Sequence, residues 1–205
     1  MPREDQREAT RRRIVEAAVE SLIEAGYAAS TTLEVQRRAG VSRGALLHHF
    51  PSRHELFGAA ITELVARNEA AVWELLAETP PGTDPLSRAL RVLRASNARP
   101  AFGAELELWA AARSDRELRT VLRRAEGAAR RDLYRVIGDL LGPEIAAAPG
   151  YPLVAELTVQ LLRGLAISDA LYRDRDDEAL LEQWAAVART ILDAPPPYDP
   201  SGGPA

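Results

Sequence analysis

Apolar positions recur every three or four residues through most of the chain, and no segment alternates for long in the strand period. Ile14, Ala17, Ala18 and Leu22 mark a first helix from about Gln6 to Ala25, which Gly26 is placed to stop. Thr31 with Glu34 has the spacing of a capping box and opens a short helix ending near Ala39-Gly40. Ser42 caps a third helix through Phe50, where Pro51 removes the next backbone donor. Ser52 with Glu55 opens a long fourth helix reaching about Glu78. A proline-rich loop follows at 80–85. Further helices are expected near 86–97 and 102–112, from Ser114 to Leu141, from past Pro152 to about Tyr172, and from the acidic link at 173–177 to about Asp193. The expectation is an all-α chain of about nine helices, ending in a disordered proline- and glycine-rich tail at 195–205.

Two short helices joined by Ala39-Gly40-Val41-Ser42 have the pattern of a helix-turn-helix. Gly40 supplies a positive φ for the turn, and Val35, Ala39, Val41, Leu46 and Phe50 form the small core that locks the helices together. Leu46 and Phe50 face inward, so Gly44, Ala45 and His48 face outward, with Arg43 and Leu47 on the flanks. In a major groove, Gly44 and Ala45 permit close approach. Arg43 then meets guanine O6 and N7, a contact worth about 1–3 kcal/mol of discrimination, or else serves as a phosphate-binding or solvated arginine. The helix starts at Thr31-Thr32 and Ser52-Arg53 turn unpaired amides toward phosphates, with the Arg53 charge added at the second.

Composition narrows the function. The 205 residues include no cysteine, which excludes disulfides and thiolate chemistry, and the 46% hydrophobic content suffices for a packed core. Neither a membrane span nor a secretory leader is evident, so a cytoplasmic protein is expected. The formal charge is −4, but residues 1–57 hold nine arginines against eight acids, a net of +1, leaving −5 for the remainder. A near-neutral head on an acidic body suits DNA contact at one end. His48, His49 and His54 are read as DNA-facing or interfacial, because adjacent helical residues diverge by about 100° and do not make an i, i+4 metal pair. Glu105 and Glu107 likewise diverge on a helix, and no glycine-rich phosphate loop appears, so neither an enzyme nor a cofactor is expected.

From Arg13-Ile-Val-Glu-Ala-Ala through Gly26-Tyr27, Thr31-Thr32, Arg38-Ala-Gly-Val-Ser-Arg-Gly-Ala-Leu-Leu-His-His-Phe-Pro-Ser-Arg53 and Glu55-Leu56, the sequence resembles the TetR family of transcriptional regulators. The resemblance is dense over about residues 11–60 and elsewhere rests on length and helix number. It implies phosphate contact from Thr32, His49 and Arg53, and base reading from Arg43, Gly44 and Ala45. Two positions depart from the family pattern. Leu47 stands where tyrosine is usual and offers an apolar contact to a thymine methyl or sugar; Gln36 replaces a common alanine beside the turn.

The resemblance implies a DNA-binding domain at 1–57 and a helical ligand-binding and dimerisation domain at 58–194. Trp73, Phe102, Trp109 and Tyr134 are candidate walls of an effector cavity, although core packing explains them equally well. Asn97, Glu105 and Gln160 are its candidate polar groups, suited to an apolar or aromatic effector with a few polar handles. Leu157, Leu161, Gly164, Leu165, Ser168 and Leu171, with Leu181, Trp184, Val187 and Ile191, suggest a four-helix homodimer interface. The expected function is a repressor released from a palindromic operator by a small molecule. The competing reading is a helical carrier or interaction module that has lost DNA binding.

Overall fold

The computed structural model describes residues 3–80, 84–172 and 176–193, with side chains described throughout apart from those of residues 3, 126, 128 and 129. The expected tail at 195–205, the middle of the loop at 81–83 and residues 173–175 of the acidic link lie outside the described residues. Ten helices and no strand occur among the described residues: α1 (Arg3–Ala29), α2 (Thr32–Ala39), α3 (Arg43–His49), α4 (Arg53–Glu78), α5 (Pro85–Asn97), α6 (Pro100–Ala111), α7 (Arg116–Leu141), α8 (Pro143–Ala146), α9 (Tyr151–Ser168) and α10 (Glu178–Asp193). The helix beyond the expected nine is α8, one turn that Pro143 starts after Gly142 (φ 85°) has ended α7. Gly26 is non-helical (φ 74°, ψ 173°), so the expected stop is present as a break within α1, after which the chain makes one more turn to Ala29. No helix among the described residues is long and apolar enough to cross a membrane.

The chain forms two compact units, Met1–Asn68 with Arg99–Arg130, and Glu69–Ala98 with Arg131–Ala205. The sequence-based boundary at 57/58 falls inside α4, and both α4 and α7 contribute residues to each unit. In the first unit, Ile14, Val19 and Leu22 of α1 meet Leu56, Phe57, Ile61 and Leu64 of α4. Leu108 of α6 and Leu118 of α7 complete this core, and Val35 and Leu46 bring α2 and α3 onto it. Each such side chain contributes roughly 1.5–3 kcal/mol by leaving water. At Gly58, a Cβ would overlap the Val121 side chain, so only glycine lets α4 and α7 approach this closely here.

The second unit packs α5, α9 and α10 together. Leu86, Leu90 and Leu93 meet Val136 and Ile137 of α7, Val154 and Leu162 of α9, and Leu181, Ala185 and Ala188 of α10. Asp84 caps α5 by accepting from the Ser87 amide at 2.9 Å. Arg88 reaches back to the Leu76 and Thr79 carbonyls at 3.0 and 2.8 Å, satisfying acceptors that the end of α4 leaves open. Arg94 bonds Asp169 and Asp177, each at 2.8 Å, which fixes the end of α9 and the start of α10 to α5. Gly150 lies so close to the Ile191 carbonyl that any Cβ would overlap it.

Candidate DNA-binding site

The turn between α2 and α3 is built from local chemistry. Thr31 caps α2, its Oγ1 accepting from the Glu34 amide at 3.2 Å. The reciprocal half of the capping box is not made: the Thr31 amide donates to the Ala29 carbonyl, and Glu34 pairs with Arg37 at 3.0 Å. Gly40 closes α2 in the left-handed conformation (φ 62°, ψ 38°), its amide donating to the Arg37 carbonyl, while the Val41 amide reaches the Gln36 carbonyl. Nothing lies within 4 Å of where a Cβ at Gly40 would stand, so the backbone angle alone calls for glycine. Ser42 then caps α3 by accepting from the Ala45 amide at 3.1 Å. Val35, Ala39, Leu46 and Phe50 are buried and Val41 packs on them, as the pattern predicts.

This arrangement leaves one face of α3 outward. Arg43, Gly44 and His48 are exposed, Leu47 is 44% exposed, and Ala45 and His49 are half-buried. Thr31 is exposed and Thr32 half-buried at the start of α2. Leu33, 63% exposed beside them, is an apolar side chain on the same head that periodicity did not single out. Burial lowers the His49 pKa, and the nearby His48, Arg7 and Arg11 lower it further. Those two arginines come from α1, where their i, i+4 spacing sets them on one face.

Arg53 is held more firmly than a free phosphate-binding arginine. Its Nη2 donates to the Tyr27 carbonyl at 2.7 Å and the Ser30 carbonyl at 3.3 Å, and its guanidinium lies 4.2 Å from the Tyr27 ring centroid and 5.1 Å from that of Phe57. It thereby ties the end of α1 to the start of α4. His54 bridges Asp115 Oδ2 at 3.0 Å and Glu117 Oε2 at 2.9 Å, joining α4 to the turn before α7 and to its first turn. Asp115 also accepts from the Leu118 amide at 2.9 Å.

The seven residues expected around an effector are divided between the two units. Phe102 and Glu105 are buried and Trp109 half-buried in the first, where Glu105 accepts from Asn68 Nδ2 at 2.7 Å. Trp73, Asn97, Tyr134 and Gln160 belong to the second. There Tyr134 and Gln160 both donate to Glu156. Gln160 is exposed, not set among apolar neighbours, because its position on α9 turns it outward to an i, i+4 partner.

The expected interface residues also separate. Leu157, Leu171 and Val187 are 39%, 79% and 51% exposed, and Gly164 is exposed with open space over its Cβ position. Leu161, Ser168, Trp184 and Ile191 are half-buried, and the Trp184 indole donates to Thr158 at 2.9 Å. Leu165 and Leu181 require correction: each is only 5% exposed and fills the core of its own unit. Ile167 and Leu180, at 61% and 44% exposure, occupy the outward positions instead.

The family model described as "Bacterial regulatory proteins, tetR family" matches residues 14–60, from α1 into α4. An uncharacterized HTH-type transcriptional regulator of Mycobacterium tuberculosis is 30% identical over 164 residues, covering 80% of this chain and 84% of that protein. The multidrug binding protein EbrR, in its complex with imidazole, superposes with a TM-score of 0.61 at 25% identity, covering 92% of this chain and 98% of EbrR. The same protein complexed with ethidium gives 0.64 at 22% identity, over 87% and 98% of the two chains. A transcriptional regulator from Rhodococcus gives 0.59 at 27% identity over 89% and 96%. With its capped helix-turn-helix and a mycobacterial relative matched over most of both chains, the protein belongs to the TetR family of DNA-binding transcriptional regulators.

Proposed function

We propose that this regulator is a ligand-responsive repressor that binds a palindromic operator as a two-fold dimer and is released by a small apolar or aromatic effector. The observation that carries the DNA-reading half is the outward face of α3. Arg43, Gly44, Leu47 and His48 stand exposed after a turn whose caps are all satisfied locally. Arg43 makes no ion pair with a described residue, so its guanidinium is available to the N7 and O6 edge of guanine. Gly44 and Ala45 permit the approach, Leu47 gives an apolar contact, and Thr31, Thr32, His48 and His49 address the backbone. The Arg53 Nη1 and the first amides of α4 add a phosphate contact.

Residues 1–57 are assigned to DNA and 58–194 to effector binding and self-association. The exposed side chains Leu157, Ile167, Leu171, Leu180 and Val187 support the dimer reading, since they gather large apolar groups on and just after α9 and on α10. An isologous pairing of α9 and α10 would cover them. EbrR, crystallised with imidazole and ethidium, supports a small aromatic effector. Because α4 and α7 contribute to both units, displacement of either helix by effector would reach the head and alter the spacing of the two α3 helices. Mis-spaced heads cannot fill half-sites about 34–36 Å apart.

Selection of the full chain on a randomised duplex library, with sequencing of the retained DNA, tests the reading. Recovery of one palindrome with half-sites a helical turn apart is the expected result. A folded dimer that retains no sequence above background would favour a carrier function. An effector that saturates the protein but leaves operator affinity unchanged would overturn the release mechanism.

A further inference from the structure

The described arginine side chains of the head fall into two groups. Arg37 pairs with Glu34 at 3.0 Å, Arg38 with Glu20 and Glu24 at 3.5 and 2.5 Å, and Arg53 is turned onto backbone carbonyls. Arg7, Arg11, Arg12, Arg13 and Arg43 make no ion pair with any described residue. Arg7 and Arg11 stand one turn apart on the same face of α1. The Arg11 guanidinium lies 5.3 Å from the ring centroid of Phe50, the residue that closes α3. Together with His49, and with Glu4 and Glu8 of α1, these arginines line a cleft of about 190 Å³.

We infer that this cleft is a second phosphate site, in which Arg7 and Arg11 grip a DNA backbone phosphodiester beside the end of α3 with His49 as a further donor. Two guanidinium groups and an imidazole converge here with no carboxylate close enough to pair with either arginine. Neither guanidinium is tied up in a direct ion pair, so both are open to an anion that enters the cleft. Stacking on Phe50 restricts Arg11 before DNA arrives, so less side-chain freedom is lost on binding. Glu4 and Glu8 oppose an anion and keep the site weak for free phosphate. A phosphodiester already held by the rest of the interface arrives at high effective concentration and tolerates that opposition. The inference rests on α3 being the DNA-reading helix and extends the contact surface to the part of α1 that precedes the family model's match at residue 14.

The test titrates a fluorescein-labelled duplex of random sequence with the full-length protein across a salt series, comparing wild type with Arg7→Ala, Arg11→Ala, Glu8→Gln and Arg12→Ala. Loss of one phosphate contact should flatten the slope of log K against log salt by about one and weaken binding roughly 5–10-fold near 0.1 M salt. Arg7→Ala and Arg11→Ala should each do so, and Glu8→Gln should tighten binding. Arg12 projects about 100° away from Arg11, and its removal should cost less. Arg7 is exposed, so it remains decisive even if Arg11→Ala loosens Phe50. Wild-type slopes in both arginine variants, or an equal loss from Arg12→Ala, would overturn the cleft while leaving the operator reading intact. A wild type that binds no duplex would overturn both.

Discussion

The backbone amide of Tyr27 donates to Glu107 Oε2 at 2.8 Å, across eighty residues of sequence, and the glycine before it makes this possible. Gly26 has φ 74° and ψ 173°, a region essentially closed to residues with a Cβ, and a Cβ there would also overlap the Glu107 carboxylate. The end of α1 is thereby fixed to α6, and Tyr27 is presented to Arg53.

Gly26→Ala should therefore destabilise the protein by roughly 1–3 kcal/mol through its backbone angle, with a further loss as Glu107 is displaced. Glu107→Gln keeps an acceptor and should cost less, about 0.5–1.5 kcal/mol. Denaturant unfolding midpoints of the two variants check the order. A Gly26→Ala protein as stable as wild type would mean that the chain relaxes around this bond.

Arg53→Ala should lower stability as well as DNA affinity. Removing the guanidinium strips a donor from the Tyr27 and Ser30 carbonyls, a loss on the order of 1–3 kcal/mol. Thermal unfolding of the free protein separates this from phosphate contact, which stabilises only the complex. An unchanged melting temperature would show that the inward bonds contribute nothing.

Val187→Glu should give a monomer by sedimentation while leaving thermal stability of the chain nearly intact, because Val187 is half exposed in the protomer. Leu165→Ala, by contrast, should cost about 2–5 kcal/mol through a core cavity. A Val187→Glu protein that sediments as wild type would move the interface elsewhere.

The Leu118 amide, and then the His54 ring, hold the Asp115 carboxyl below its usual value of 3.8. A carboxylate depressed in the folded state stabilises the fold above its unfolded pKa, and that contribution is lost as pH falls through and below about 4. Unfolding midpoints measured down this range should fall less steeply for Asp115→Asn than for wild type. The difference should be modest, because the side chain is one-third exposed.

The sequence by itself determined the parts of this protein whose partners lie three or four residues away. Thr31, Ser42, Ser52 and Asp84 each cap a helix through an amide three residues on. Gly40 takes a left-handed angle that no tertiary contact imposes. Caps and breakers place the ends of most helices, and period places the inward side chains of the helix-turn-helix. Tertiary structure decided which way the longer helices turn and what meets across them. Leu165 and Ile167 are both large apolar residues of α9, yet one fills the core and the other faces water, because a rotation of about 100° per residue separates faces that composition does not distinguish. The same holds for Arg53, drawn onto carbonyls presented by the end of α1, and for the glycines at 58 and 150, whose need appears only where Val121 and Ile191 approach. A cap is satisfied within one turn of chain, whereas a helix face is chosen by the sum of contacts made with helices distant in sequence.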